Sequence, residues 1–308
     1  MKLSIVTTMY RSAPYIEEFY RRIVLVAEEI TDDFEVIMVN DGSPDNSLEI
    51  AVSLHNKDSR LKVVDLSRNF GHHKAIMVGL RIAKGDLVFL IDVDLEEEPE
   101  LLKEFYNQFT AQRELDVLYG VQARRKGGVF EVFSGWLFYK IVNWLCDTPI
   151  PKNFLTIRLM TSRYVQELIK YTETQFNFST LTVLTGFTQK EIKIVKKSTS
   201  QSTYTFTKKL VLLLDIITSS SAKPLYIVFY VGMAITFLSF LYIINIIYNV
   251  LVLGHGVQGW PSLIVSIWFL GGLICMFIGI VGLYISRIYI ETKRRPDSHI
   301  RSVWGIEL

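Results

Sequence analysis

Two long stretches without a charged side chain constrain this 308-residue chain more than any other feature. Leu225 to Leu253 and Pro261 to Ser286 contain no Asp, Glu, Lys or Arg. Each exceeds the roughly 20 apolar residues that a helix needs to cross a bilayer. A helix also satisfies its own backbone donors and acceptors, which lipid cannot do. A single run of this kind could be a buried core helix, but two in succession point to a membrane hairpin. The connecting segment, 254–260, has no Lys or Arg, whereas Lys208, Lys209 and Lys223 precede the pair and Arg287, Lys293, Arg294 and Arg295 follow it. Positive residues mark the cytoplasmic side, so both termini are expected there and the short loop outside. Neither span carries an acid or a base, which argues against a proton pathway or a transporter of charged solutes.

Up to about Ser221 the chain reads as an ordinary α/β domain. Leu3–Thr8, Phe34–Val39, Leu61–Leu66 and Leu87–Ile91 are short apolar runs expected as buried strands, and Val117–Val121 is the next. Ile16, Phe19, Ile23, Val26 and Ile30 recur at helical spacing, with Pro14 placed to start that helix. Ser43-Pro44 and Glu98-Pro99 give similar helix starts. This alternation predicts a mostly parallel sheet with helices on both faces and ligands beyond the carboxyl ends of the strands. No GxGxxG or GxxxxGK[ST] occurs, which removes the main support for a dinucleotide oxidoreductase or a P-loop ATPase. A net charge of +2 leaves no general attraction to nucleic acid. Cys146 and Cys275 form no CxxC pair, and the first residues lack a signal peptide's apolar core, so the domain is expected to stay in the cytoplasm.

The chemically loaded residues fall at the predicted strand exits. Asp41, in Asn40-Asp41-Gly42-Ser43 after the second strand, could accept hydrogen bonds from a base or ribose, although these are also ordinary turn residues. The fourth strand runs out into Asp92-Val93-Asp94-Leu95-Glu96. Asp92 and Asp94 could share a hard divalent cation, with Glu96 as a third oxygen ligand, so that Mg²⁺ or Mn²⁺ bridges to a diphosphate. A solvated acidic loop is the bland alternative, since Glu97, Glu98 and Glu100 prolong the run. Arg68 after the third strand, and Arg124-Arg125-Lys126 after the fifth, supply cations suited to phosphate oxygens.

Taken in order, Asn40-Asp41-Gly42-Ser43, Ser67-Arg68-Asn69-Phe70-Gly71 and Asp92-Val93-Asp94-Leu95-Glu96-Glu97-Glu98-Pro99-Glu100 resemble the family 2 glycosyltransferases. The branch they resemble is that of dolichol-phosphate mannose synthase and bactoprenol glucosyltransferase. Asp215 to Leu225 is similar to that branch's stretch before its paired membrane helices. The resemblance implies a GT-A fold, a nucleotide-sugar donor, a polyprenyl-phosphate acceptor and Mg²⁺ or Mn²⁺. It assigns Thr7, Tyr10, Asp41, Arg68 and Asp92 to the nucleotide, and Asp92, Asp94 and Glu96 to the metal and diphosphate. Asp94, Arg124 and Lys197 take the catalytic positions, and Arg125 and Lys196 the acceptor phosphate. Arg124 and Arg125, and likewise Lys197 and Lys196, are alternatives for one basic position each. The chain departs from the branch at Tyr10-Arg11-Ser12, where Tyr-Asn-Glu is usual, and at Glu96-Glu97, where Gln-Asp is common. Lys196 or Lys197 replaces an Arg, keeping the charge without the bidentate fork.

The expected organisation is a catalytic domain over 1–205, a juxtamembrane amphipathic helix over 206–223, spans over 224–253 and 261–287, the external loop 254–260, and a cytoplasmic tail over 288–308. Leu210, Leu213, Leu214 and Ile217 share a helical face, suggesting an interfacial helix, while Phe130 to Cys146 suits either the membrane interface or the domain core. The expected function is an inverting transfer from a nucleotide sugar, a UDP-sugar by the branch, to polyprenyl phosphate at the cytoplasmic face of a bacterial inner membrane. The partners are the donor, the lipid and the membrane, with self-association left open. A processive synthase would carry QxxRW and more spans. A phosphosugar transferase would release a nucleoside monophosphate. A membrane-tethered nucleotide-sugar scaffold or sensor would bind without turnover.

Overall fold

The computed structural model describes residues 1–112, 114–122, 140–146, 154–173, 178–195, 217–218, 221–253 and 259–306. The chain divides into two compact units. One comprises Met1–Tyr139, Ile150–Thr205 and Arg295–Leu308, and the other Lys140–Pro149 and Phe206–Arg294.

In the first unit the expected alternation is present. Strands β1 (Leu3–Met9), β2 (Phe34–Asn40), β3 (Leu61–Leu66), β4 (Leu87–Leu90) and β5 (Val117–Gln122) follow the apolar runs to within a residue or so. Helices α1 (Ile16–Glu28), α2 (Ser47–His55), α3 (His72–Ile82) and α4 (Leu101–Thr110) connect them. Then come β6 (Phe154–Thr161), α5 (Ser162–Leu168), α6 (Phe178–Leu184) and β7 (Gln189–Ile194). The last strand, β8 (Ile300–Trp304), lies at the far end of the chain. No strand is legible there from the sequence, because five residues after a basic stretch carry little pattern.

The eight strands form one sheet in the order β7-β5-β6-β4-β1-β2-β3-β8. Parallel ladders join β1 to β2 and β4, β2 to β3, and β5 to β7. Antiparallel ladders bring in β6 and β8, so the sheet is mostly but not wholly parallel. Every residue of β1 and β2 is buried, as expected for strands covered on both faces. Alternation sorts their side chains by face: Leu3, Ile5, Val36 and Met38 pack in one cluster, and Val6, Ile37 and Val39 in the other. Helix α1 seals the first cluster with Ile16, Phe19, Ile23 and Val26 at the spacing read from the sequence. Each such burial contributes about 1.5–3 kcal/mol before the entropy of ordering the chain is counted. Trp304 and Val303 of β8 pack against the two clusters from the sheet edge.

The second unit holds α7 (Lys223–Leu253) and α8 (Trp260–Thr292). Both are long and apolar enough to cross a membrane. Their large apolar side chains lie exposed, among them Phe229, Phe240, Trp268 and Phe269. A water-soluble helix would bury that face, and lipid is the solvent in which exposure costs nothing. Tyr284 Oη donates to Ser221 O at 2.7 Å, tying α8 to the start of α7, and Lys223 Nζ donates to Cys146 O at 2.9 Å.

Candidate active site

The order of the sheet locates the site. From β1 the chain winds outward through β2 and β3, then returns to place β4 on the other side of β1. Such a reversal opens a crevice at the carboxyl ends of the two central strands, since their connections leave in opposite directions. The exits of β1, β2 and β4 carry the acids and turns singled out in the sequence.

At the exit of β2, Asp41 is 2% exposed. Its two carboxylate oxygens accept the backbone N–H groups of Phe70 at 2.7 Å and Gly71 at 3.0 Å. The two motifs Asn40–Ser43 and Ser67–Gly71 are thus one construction. Gly42 allows their approach: at φ +60°, a Cβ there would lie 2.4 Å from the Arg68 carbonyl carbon and 2.5 Å from Asn69 N. Burial pushes the Asp41 carboxyl up, and the two amides oppose it. Asn40 Nδ2 donates to Asp65 Oδ1 at 2.8 Å, and the Ser43 amide donates to Asn40 Oδ1 at 3.3 Å. Asp45 continues the turn, accepting from the Ser43 and Ser47 hydroxyls and the Ala13 amide. Burial opposes the shift, but these bonds bring its carboxyl down to about 2. Arg68 is exposed and its guanidinium lies 4.2 Å from the Phe70 ring centroid.

At the exit of β4, Asp92 and Asp94 are half-buried. Asp94 Oδ1 accepts the Glu96 amide at 3.0 Å across Leu95, whose φ of +60° is a strained value for a branched side chain. His72 lies 3.5 Å from Asp92 Oδ1 through Nε2, while its Nδ1 lies 3.0 Å from Thr8 Oγ1. Thr8, His72 and Asp92 therefore join β1, α3 and β4 across the crevice.

Among the described residues, no three His, Cys, Asp or Glu side chains converge as metal ligands. Glu96 is therefore not gathered with Asp92 and Asp94 as the sequence suggested; the turn at Leu95 brings the Glu96 backbone, through its amide, to Asp94. The donor set of two carboxylates still fits Mg²⁺ or Mn²⁺, because Mg²⁺ takes one or two carboxylates and keeps waters and substrate phosphates for the rest. Thr7 is wholly buried, so it is Thr8 that faces His72. Tyr10 is exposed beside Arg11, whose amide donates to Ser43 Oγ at 2.7 Å and joins the β1 exit to the β2 turn. Arg124, Arg125, Lys196 and Lys197 lie outside the described residues.

Sequence reasoning missed two residues. His72 follows directly on the quoted Ser67–Gly71 motif, and that adjacency was the available signal. Arg158 sits on β6 opposite Leu90, the last residue of β4, and is fully buried. Its Nε and Nη2 donate to the carbonyls of Thr156 at 2.9 Å and Leu155 at 3.2 Å. The Phe154 and Phe178 rings lie 4.6 and 4.5 Å from its guanidinium carbon. Burial pulls it down to about 10, and the charges of Tyr164, Glu97 and Asp92 oppose that shift. An arginine within an apolar strand gives no sign in sequence that it will be enclosed.

The model for the family described as "Glycosyl transferase family 2" matches residues 4–180. A protein of Mycobacterium tuberculosis (strain CDC 1551 / Oshkosh) bearing a glycosyltransferase name is 47% identical over 313 residues, covering 100% of this chain and 90% of its own length. The bactoprenol glucosyl transferase of Shigella phage SfV is 32% identical over 304 residues, covering 98% of this chain and 99% of its own. The prophage bactoprenol glucosyl transferase homolog of Escherichia coli K12 is 30% identical, covering 98% and 99%. The α/β sheet with its acids at the carboxyl edge is a GT-A fold.

Proposed function

The chain belongs to glycosyl transferase family 2, and on that premise we propose that it moves a sugar from a uridine diphosphate sugar to polyprenyl phosphate at the cytoplasmic face of a bacterial inner membrane. The observation that carries this reading is the length of the likeness to the phage bactoprenol glucosyl transferase. At 98% of this chain it takes in the α/β unit and both apolar helices, not the donor domain alone. In this reading 1–205 is the catalytic domain, 206–223 the juxtamembrane helix, 224–253 and 261–287 the spans, 254–260 the external loop and 288–308 the cytoplasmic tail. The chain rejoins the α/β sheet as β8 after α8, which supports an even number of crossings and a common side for both ends.

The nucleoside rests against the β2 turn, with Arg68 and Tyr10 exposed beside it. Asp41 acts by holding the Phe70 and Gly71 amides, so the loop is set before the donor arrives. The diphosphate lies toward Asp92 and Asp94, which would hold Mg²⁺ or Mn²⁺, an ion that neutralises the charge on the departing nucleoside diphosphate. His72 orients Asp92 and links it to β1. Arg124, with Arg125 as its alternative, and Lys197, with Lys196 as its alternative, we assign to the phosphates of the donor and the acceptor.

A lipid monophosphate has a second pKa of about 6 and is mostly dianionic at neutral pH. Its oxygen needs little help from a general base, so catalysis rests on positioning and on charge stabilisation. That oxygen forms the new bond to the anomeric carbon as the bond to the diphosphate breaks on the opposite face, which inverts the configuration.

The test uses the full chain in detergent with undecaprenyl phosphate, Mg²⁺ or Mn²⁺ and a panel of nucleotide sugars. Metal-dependent sugar transfer into the lipid phase, with release of nucleoside diphosphate and loss in Asp94→Asn, is the expected result. Release of nucleoside monophosphate, or a product with retained configuration, would refute the mechanism. Donor binding without transfer across the panel would favour a scaffold or sensor.

A further inference from the structure

The strand that follows the second membrane-length helix does more than cover a sheet edge. β8 pairs antiparallel with β3, matching Asp65 to Ser302 and Leu66 to Ile300. Just beyond that ladder the Ser67 amide donates to His299 O at 2.9 Å, so the pairing continues into the loop that Asp41 holds. Arg301 then reaches two places at once. Its Nη2 donates to the Ser67 carbonyl, and its Nη1 lies 3.3 Å from Asp65 Oδ2. The His299 ring meets that of Phe70 at a centroid distance of 6.0 Å.

Asp65 explains why this matters. It is 2% exposed and its other oxygen accepts from Asn40 Nδ2 at 2.8 Å. Asn40 Oδ1 in turn accepts the Ser43 amide at 3.3 Å. A buried carboxylate needs a partner cation, and Arg301 supplies it from the opposite end of the chain. One guanidinium thereby holds both halves of the construction: the Ser67–Gly71 loop directly, and the Asn40–Ser43 turn through Asp65 and Asn40. Its planar fork is suited to serving two acceptors at once, which an ammonium group does less well.

We propose that β8 is part of the donor site, with Arg301 and His299 as positioning residues that set the Ser67–Gly71 loop and the Asn40–Ser43 turn for a nucleoside diphosphate. The inference rests on the reading of that turn as the nucleotide site and adds a segment that the glycosyltransferase match, ending at residue 180, does not include. The residues immediately before β8 leave α8, so the donor site is tied covalently to the end of the membrane hairpin.

The experiment compares Arg301→Ala, Arg301→Lys and Arg81→Ala in the full chain in detergent. Arg81 pairs with Asp297 and anchors the same C-terminal segment without touching the loop, so it controls for simple tethering. UDP and GDP are titrated calorimetrically, donor KM and kcat are measured, and hydrogen exchange is followed at the Phe70 and Gly71 amides. Arg301→Ala should weaken nucleoside diphosphate binding and raise donor KM about tenfold, as losses of supporting contacts do, while kcat at saturating donor stays within about twofold. The two amides should exchange faster, Arg301→Lys should recover part of the affinity, and Arg81→Ala should lower thermal stability with nucleotide affinity unchanged. Equal losses in Arg81→Ala and Arg301→Ala, a fall in kcat alone, or unaltered exchange in Arg301→Ala would overturn the proposal. If the unmodified chain binds neither UDP nor GDP, the nucleotide reading itself fails and the inference falls with it. Normal binding in Arg301→Ala would remove only the inference.

Discussion

The turns at the exits of β2 and β4 are both acidic, both at the same edge of the sheet, and built on opposite principles. The β2 turn is closed by the protein itself. Asp41 has both oxygens on loop amides, Asn40 bridges to Asp65, and Asp45 is ringed by hydroxyls and amides. The β4 turn concentrates negative charge instead, with Asp92 at 3.5 Å from His72 and a strained Leu95 between Asp94 and Glu96. A turn saturated with hydrogen bonds gives shape and has little electrostatic work left to do. In the proposed function, Asp92 and Asp94 of the β4 turn are the carboxylates that answer to a cation and a departing anion. Geometry and charge are in that reading divided between the two strands that flank β1, one turn setting shape and the other answering to charge.

Substitutions should separate the two roles. Asp94→Asn should have the largest effect, lowering kcat by about 10²–10³, the scale of losing one electrostatic contact to a transition state. Its melting temperature should stay near that of the unmodified chain; an equal collapse of stability would erase the distinction. Gly42→Ala should do the reverse and act on the fold. A Cβ placed 2.4 Å from the Arg68 backbone at φ +60° combines strain with overpacking, for a loss of about 2–4 kcal/mol read by thermal or denaturant unfolding. Asp41→Asn replaces one acceptor oxygen by a donor facing a backbone N–H. It should cost about 1–3 kcal/mol and raise donor KM more than it lowers kcat.

The smallest effect is that of acid. Hydrogen bonds from Arg60 bring Asp58 down to about 2, and Asp45 reaches about 2 through its ring of donors. Both folded values lie below the ordinary 3.8, so this stability is present above that value and is lost as pH falls from there toward 2. Asp41 has the opposite sign. Burial raises its folded value, so its contribution is full below the unfolded value and is lost as pH rises through the folded one. Melting of the full chain across this window should show a net fall on acidification, diminished in Asp45→Asn and Asp58→Asn. An undiminished fall in both variants would mean that other carboxylates govern the acid limb.

Local pattern alone was enough for much of this. The strand runs, the buried face of α1 and the two apolar helices are properties of neighbours in the chain, where a period of two or 3.6 states which side chains must leave water. The acids Asp41, Asp92 and Asp94 were legible for the same reason, as polar residues ending apolar runs. Their partners were not. That His72 meets Asp92, that Thr8 and not Thr7 faces it, and that Glu96 is not gathered with the two aspartates depend on strand register and on the turn at Leu95.

What the sequence determined by itself is therefore the class of each segment: an α/β unit with acids at its strand ends, and a pair of helices suited to lipid. Only the tertiary structure decided that β4 lies beside β1, that Arg158 is enclosed next to the β4 exit, and that β8 returns to close the β3 edge and reach the Ser67–Gly71 loop. The physical reason is range. Burial periodicity and turn preference act within a few residues, whereas ladder pairing, counter-ion choice and the enclosure of a charge are settled between residues far apart in the chain, whose meeting no local signal records.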